Sequence, residues 1–246
     1  MLPNFDLSSI EIRMPTDEEL QASHTMRYER VAEYMIDQWP ESVRALSFPT
    51  KMVEVDPEQM MQLYDGESPE WKAVATELAE KLDEAMDWQP FFIRLNSRSP
   101  KDAVDLPITC SGRQAIYWIS QSMRCMDDTA TALYAKKPMY ICLRKAQRMH
   151  KDGEFRCFAK DGQVIAASRY FYDDTPMNRP AQGVVLEAAK RFYDAHLQAH
   201  YPDVVFDLYA PGSDQEILIE LNPYGLSDPC LFGSYDEVEK GGERLG

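Results

Sequence analysis

The chain has 246 residues, 44% hydrophobic and 27% charged, enough for one large domain or two or three subdomains sharing a core. Its formal net charge of −15 repels nucleic acid and anionic lipid at long range, so neither is an expected partner and any polyanionic ligand needs a locally basic site. Five cysteines without a Cys-x-x-Cys spacing, a start (Met1 to Asp6) lacking a signal peptide's basic head, and no apolar run of about 18 residues predict a cytoplasmic protein with reduced core thiols.

The first twenty or so residues read as polar and irregular, and then Tyr28, Val31, Tyr34 or Met35, and Trp39 recur at helical spacing until Pro40. Lys51 to Val55 reads as a short strand. Asp56-Pro57-Glu58 has the form of a helix start, and a stronger helix begins near Ser68-Pro69-Glu70 with Trp71, Val74, Leu78, Leu82 and Met86 on one face. From residue 91 short extended runs take over: Phe91 to Asn96, Met139 to Lys145, Glu154 to Lys160 and Gln163 to Phe171. Asp161-Gly162 marks a hairpin turn between the last two. A helix is predicted over Gly183 to His200, followed by strands at Val204 to Tyr209 and Glu216 to Asn222 joined by the turn Ala210 to Gln215. The acidic tail after Phe232 reads as loose.

In Ile217-Leu218-Ile219-Glu220-Leu221-Asn222 the period of two puts Glu220 and Asn222 on one face. If Asp207 pairs with Glu220, and the ladder continues 208 with 219 and 209 with 218, three oxygen-bearing side chains converge. Such hard oxygens suit magnesium, which takes one or two carboxylates beside waters and substrate phosphates. Taken alone, the same three residues would serve as solvated positions on an edge hairpin.

A second group of residues bears on that choice. Arg94, Arg144, Lys145, Arg156 and Arg169 lie in or at the ends of otherwise apolar strands, and Lys101 lies in a polar loop. Each arginine could make a structural ion pair with one of the 41 acidic residues. Together with a magnesium site they are better explained by a bound polyphosphate, since guanidinium forks match phosphate oxygens. No Walker or Rossmann glycine motif is present. His196 and His200, four apart on a helix, lack a third zinc ligand nearby, Ser122 and Ser168 show no partnered base, and Tyr170, Phe171 and Tyr172 read equally well as core packing.

Phe92 to Ala103, Leu143-Arg144-Lys145, Glu154 to Phe158, Phe206 to Tyr209, and Glu220 to Gly225 with Asp228 and Leu231-Phe232 resemble, in order, motifs of the cell division cycle protein 123 family. The resemblance spans residues 35 to 237. It implies an α+β, ATP-grasp fold with mainly antiparallel sheets, in which ATP is held between two α+β subdomains. The implied division is an N-terminal α/β region over 1–90, a small subdomain over 91–143 and a large one over 144–246. It implies Asp207, Glu220 and Asn222 as magnesium ligands, Arg94, Lys101 and Arg156 at the phosphates, and adenine near the hinge that contains Cys142, Leu143, Arg144 and Lys145. Arg156 and Lys101 are the expected catalytic cations, and Arg169 a further phosphate contact. The chain departs from the family where Arg94 replaces the usual lysine, Glu220 the usual aspartate, and no tryptophan follows Asn96.

Two functions follow from that resemblance. Most ATP-grasp proteins are ligases that act through an acylphosphate, and a small ATP-dependent ligase, acting on a peptide or other carboxylate substrate, is the first expectation. The alternative is an ATP-dependent assembly chaperone for eukaryotic translation initiation factor two or another complex, whose partner would be a translation-factor subunit.

Overall fold

The protein, analysed as a computed structural model, is described over residues 13–66, 68–171, 183–211 and 216–245. The start Met1 to Asp6, Tyr172 and the Gly212 to Gln215 part of the predicted turn lie outside those residues.

Four strands form the first sheet: β1 (Thr50–Val55), β2 (Phe91–Leu95), β3 (Ile108–Thr109) and β4 (Met139–Lys145), antiparallel in the order β1-β4-β2-β3. Residues 50–55 and 91–145 therefore share one sheet. Alternation sorts its side chains. Ile93, Leu95, Ile141 and Leu143 face three helices, α4 (Pro69–Met86), α5 (Gly112–Gln121) and α6 (Met123–Ala135), in a core with Leu78, Leu82, Met86, Ile116 and Ile119. The opposite parity, Arg94, Cys142 and Arg144, turns toward the second half of the molecule.

Local chemistry sets these helices. Ser68 Oγ accepts the Trp71 amide at 3.0 Å with Pro69 in the first turn, and α4 ends on Asp87 at φ 49°. The sequence pattern predicts neither α5 nor α6. Their start signals are Ser111 and Ser122, whose side chains accept the Gln114 and Cys125 amides. Gly112 lets α5 touch α4: a Cβ there would lie 2.1 Å from the Ala79 carbonyl oxygen.

The second sheet has five strands, β5 (Glu154–Lys160), β6 (Gln163–Arg169), β7 (Val204–Tyr209), β8 (Ile217–Pro223) and β9 (Gly242–Arg244), in the order β8-β7-β5-β6-β9. Its pairs are antiparallel except β6 with β9. Phe155, Cys157, Phe206 and Leu208 on one face pack against Val185, Ala189, Phe192 and Tyr193 of α7 (Val184–His196). The other face is divided. At one end Phe158, Ala166 and Val205 lie under Phe232 and Val238, and at the other end the polar residues gather.

Four sequence expectations change. Asp207 pairs with Glu220 as expected, but Leu208 then pairs with Leu218 and Tyr209 with Ile217, leaving Ile219 as a bulge. The carbonyl of Ile219 accepts Arg144 Nη1 at 2.7 Å instead. The first helix is α1 (Asp17–Val31), opened by a Thr16/Glu19 capping box, so the polar start is helical from Asp17, and the helix stops well before Trp39. Ile36 and Trp39 are buried in the α7-side core, with Trp39 Nε1 donating to the Tyr34 carbonyl at 2.8 Å. The tail is not loose: α8 (Tyr235–Val238) and β9 dock it on the second sheet. Cys125, Cys142 and Cys157 are buried free thiols, whereas Cys110 is exposed and Cys230 half-buried. Among the described residues no helix is long and apolar enough to cross a membrane.

Candidate functional site

The polar end of the second sheet is built by strand parity. Arg156 of β5 pairs with Asp207 of β7, and Asp207 with Glu220 of β8, so the three stand side by side, with Glu154 two residues to one side of that row and Asn222 two residues to the other on the same face. Arg156 donates to both Asp207 oxygens, Nε to Oδ1 and Nη2 to Oδ2, at 2.8 Å each, and its Nη1 donates to the Asp228 carbonyl at 3.2 Å. The pair is almost sealed, with 6% of Arg156 and 1% of Asp207 exposed. Burial pushes the Asp207 carboxyl up, Arg156 pulls it back, and Asp207 in turn holds the guanidinium firmly charged.

The first sheet completes the cluster. Arg94 Nη2 donates to Glu220 Oε1 at 2.8 Å, and 21% of the Glu220 side chain remains open. Burial works against the Glu220 charge, but Arg94, Lys101, Arg156 and Arg144 outweigh it and hold the carboxyl down at about 2. Glu154 moves the other way. Burial, reinforced by Asp207, pushes it up to about 7 against the pull of Lys101. Glu220 and Glu154, within the field of one another and of Asp207, thus titrate far apart, an arrangement that recurs at functional sites.

Lys101 arrives on the loop between β2 and β3. Ser97 Oγ donates to Asp128 at 2.6 Å, Arg98 forks onto Asp128 and Asp127, and Asp102 accepts the Ser122 hydroxyl at 2.5 Å and the Arg124 amide at 3.1 Å. These bonds fasten both arms of the loop to α6 and leave Lys101 at its apex, with its Nζ 3.4 Å from Tyr170 Oη. Burial opposes the Lys101 charge, and Tyr170, Glu220, Glu154 and Asp207 together outweigh it and raise its pKa.

Between the halves lies a cleft of about 870 Å³ lined by Lys101, Arg156, Tyr170, Glu220, Asn222 and Asp228, with Arg27, Val31, Tyr34 and Met35 from α1 and the turn after it along one wall. Lys101, Arg156, Glu220 and Asn222 thus face the cleft, while Arg94 and Asp207 join the same cluster behind its lining, bonded to Glu220 and Arg156. The remaining residues singled out in the sequence lie elsewhere. Cys142 and Leu143 are fully buried on opposite faces of β4, Lys145 is exposed at its end, and none of the three lines the cleft. Arg144 is buried against Phe48 and donates to Ser47 Oγ at 2.5 Å and to the Ile219 carbonyl, tying the sheets together. Arg169 pairs with Phe155, whose parity is opposite to that of Arg156.

Glu154 and Tyr170 belong to the cluster although the sequence reading gave them no role. For Glu154 the signal was present: it precedes Arg156 by two in a strand, a second charge on the same face of an apolar run. The donor set suits a hard divalent cation. Asp207, Glu220 and Asn222 are neighbours, and the Asn222 Oδ1 would be the amide's cation ligand, while its Nδ2, a donor buried without a hydrogen-bond partner, would serve a phosphate or water oxygen. Among the described residues no three His, Cys, Asp or Glu side chains form a closed cage, so water and phosphate oxygens would complete the coordination of a magnesium ion here.

The chain matches a known family over most of its length. The model of the family described as D123 matches residues 37–244. A Xenopus tropicalis protein named translation initiation factor eIF2 assembly protein is 25% identical over 207 residues, covering 75% of this chain and 58% of its own length. Cell division cycle protein 123 of Phaeosphaeria nodorum is 28% identical over 158 residues, covering 56% of this chain and 42% of its own length. This chain thus spans about half the length of the curated relatives it matches. The structure of Cdc123 from Schizosaccharomyces pombe superposes with a TM-score of 0.67 at 22% identity, covering 88% of this chain and 96% of that one, and shows that the two share a fold. With the motifs, the matched region and the shared α+β fold in agreement, the chain belongs to the D123 family.

Proposed function

We propose that this chain binds MgATP in the cleft between its two sheets and acts as a cytoplasmic, nucleotide-dependent assembly factor for a translation-factor subunit. The carrying observation is the cluster itself: Arg94, Lys101 and Arg156 meet Asp207, Glu220 and Asn222 in a protein of net charge −15. The three cations supply the local attraction that such a protein otherwise lacks for a triphosphate. The two carboxylates and the amide oxygen would hold magnesium, which when bound neutralises phosphate charge and bridges its oxygens. Lys101 and Arg156 would orient the phosphates from opposite sheets, linking nucleotide occupancy to the seating of one half on the other.

The relatives named as eIF2 assembly proteins favour this reading over the ligase. Its test is linkage. If ATP and a protein partner both bind the seated form, each changes the other's affinity by the same factor. An eIF2 subunit titrated with and without MgATP, and MgATP titrated with and without the subunit, should give equal ratios above one without stoichiometric phosphate release. Phosphate release that requires a small carboxylate and an amine, with no reciprocal shift, would restore the ligase.

A further inference from the structure

We propose that Tyr170 is the positioning residue of this cleft, its hydroxyl seating the Lys101 ammonium and its ring the Arg156 guanidinium, together for a polyphosphate ligand. This rests on the nucleotide reading above and adds to it a residue outside the cation and carboxylate set.

Lys101 Nζ lies 5.2 Å from the centroid of the Tyr170 ring, and Arg156 Cζ lies 4.9 Å from it. The Arg156 distance falls within the range at which an aromatic quadrupole attracts a cation, whereas Lys101 Nζ stands at the hydroxyl edge of the ring and donates to Oη at 3.4 Å. The two cations come from different halves, Lys101 from the loop after β2 and Arg156 from β5, and one side chain serves both, by hydroxyl and by ring. Tyr170 is itself fixed: its amide donates to the Glu154 carbonyl at 3.1 Å, and its ring meets Phe171 edge-on at 5.1 Å.

The two cations differ in what else they touch. Arg156 is engaged with Asp207 and the Asp228 carbonyl, while Lys101 makes no ion pair at salt-bridge distance among the described residues. Lys101 instead sits in the summed field of Glu154, Asp207 and Glu220 and donates to Tyr170 Oη. An ammonium so placed keeps two of its three donors for an incoming anion. Without the hydroxyl, the ammonium would be free to swing onto one of those carboxylates. Tyr170 therefore holds the two cations side by side before the ligand arrives, which lowers the cost of ordering them on binding.

The test is calorimetric titration of MgATP and of AMP, which lacks the outer phosphates, into wild type, Tyr170→Phe and Tyr170→Leu. Tyr170→Phe keeps the ring but loses the hydroxyl that Lys101 donates to, and should bind MgATP roughly 2- to 10-fold more weakly than wild type, with AMP affinity unchanged. In a Lys101→Met background that loss should vanish, because the cation seated by the hydroxyl is gone. Tyr170→Leu also removes the ring under Arg156 and should bind MgATP roughly a further 2- to 5-fold more weakly. A Phe variant that binds MgATP like wild type would overturn the proposal. So would a Phe loss that persists in the Lys101→Met background, or an equal loss for AMP, which would mark a packing role. If Tyr170→Leu does not fold, Tyr170→Phe and its Lys101→Met double variant decide by the same outcomes. Failure of wild type to bind MgATP would overturn the nucleotide reading and this role with it, whereas wild-type binding with the wrong variant pattern overturns this role alone.

Discussion

Arg156 and Asp207 face each other across β5 and β7 in a closed guanidinium–carboxylate fork, two bonds of 2.8 Å with almost no solvent on either partner. A buried fork of this kind is costly to break from one side, because the remaining charge is left without compensation. Arg156→Ala should therefore lower stability by about 3–5 kcal/mol. Arg156→Met combined with Asp207→Leu should cost far less than the sum of the single changes. Urea denaturation of the four proteins in a double-mutant cycle measures this, and additive losses would show that the pair is not energetically coupled.

Glu154 gives a pH signature. Its carboxyl is pushed from the usual 4.5 up to about 7, so the folded protein holds a proton that the unfolded chain releases. Stability from this group is fully present below about pH 4.5 and is lost as pH rises through 7. Between pH 7 and pH 5 wild type should therefore gain stability relative to Glu154→Gln, by about 2 kcal/mol in order of magnitude. Parallel denaturation curves for the two proteins at pH 5, 6 and 7 would place the titration elsewhere.

The C-terminal segment should be structural. Glu243 accepts the Gly183 amide at 2.6 Å and the Leu186 amide at 2.8 Å, capping α7, whose own N-cap Gly183 has no side chain to do so. Glu243→Ala should cost about 1 kcal/mol, and Glu243→Gln less, since an amide oxygen still accepts. Thermal unfolding at low salt checks both, and an unchanged midpoint for the alanine variant would argue against the cap.

Strand alternation was legible wherever an apolar run carried isolated charges, which is why Glu220 was correctly set beside Asp207. The bulge at Ile219 was not legible, since it depends on Arg144 from the other sheet taking the carbonyl. The α5 helix escaped because Ala115-Ile116-Tyr117-Trp118-Ile119 is a continuous apolar run, which does not separate helix from strand by period. The α6 helix interleaves Asp127, Asp128, Thr129 and Thr131, residues of middling helix propensity held by tertiary contacts such as the fork of Arg98. The tail misled for a similar reason. Its acidic composition reads as solvated, yet one of its acids is used at a helix terminus.

The central claim is that Asp207, Glu220 and Asn222 hold magnesium beneath a nucleotide bound by Arg94, Lys101 and Arg156. Its most direct test is the stabilisation of wild type and of folded Glu220→Gln by ATP, with magnesium and with chelator. Wild type should gain about 2.7 kcal/mol when free MgATP is about a hundredfold above its dissociation constant, clearly more than with ATP and chelator at the same concentration, and Glu220→Gln should lose the difference between the two conditions. No stabilisation of wild type at millimolar MgATP, or an undiminished magnesium effect in Glu220→Gln, would contradict it.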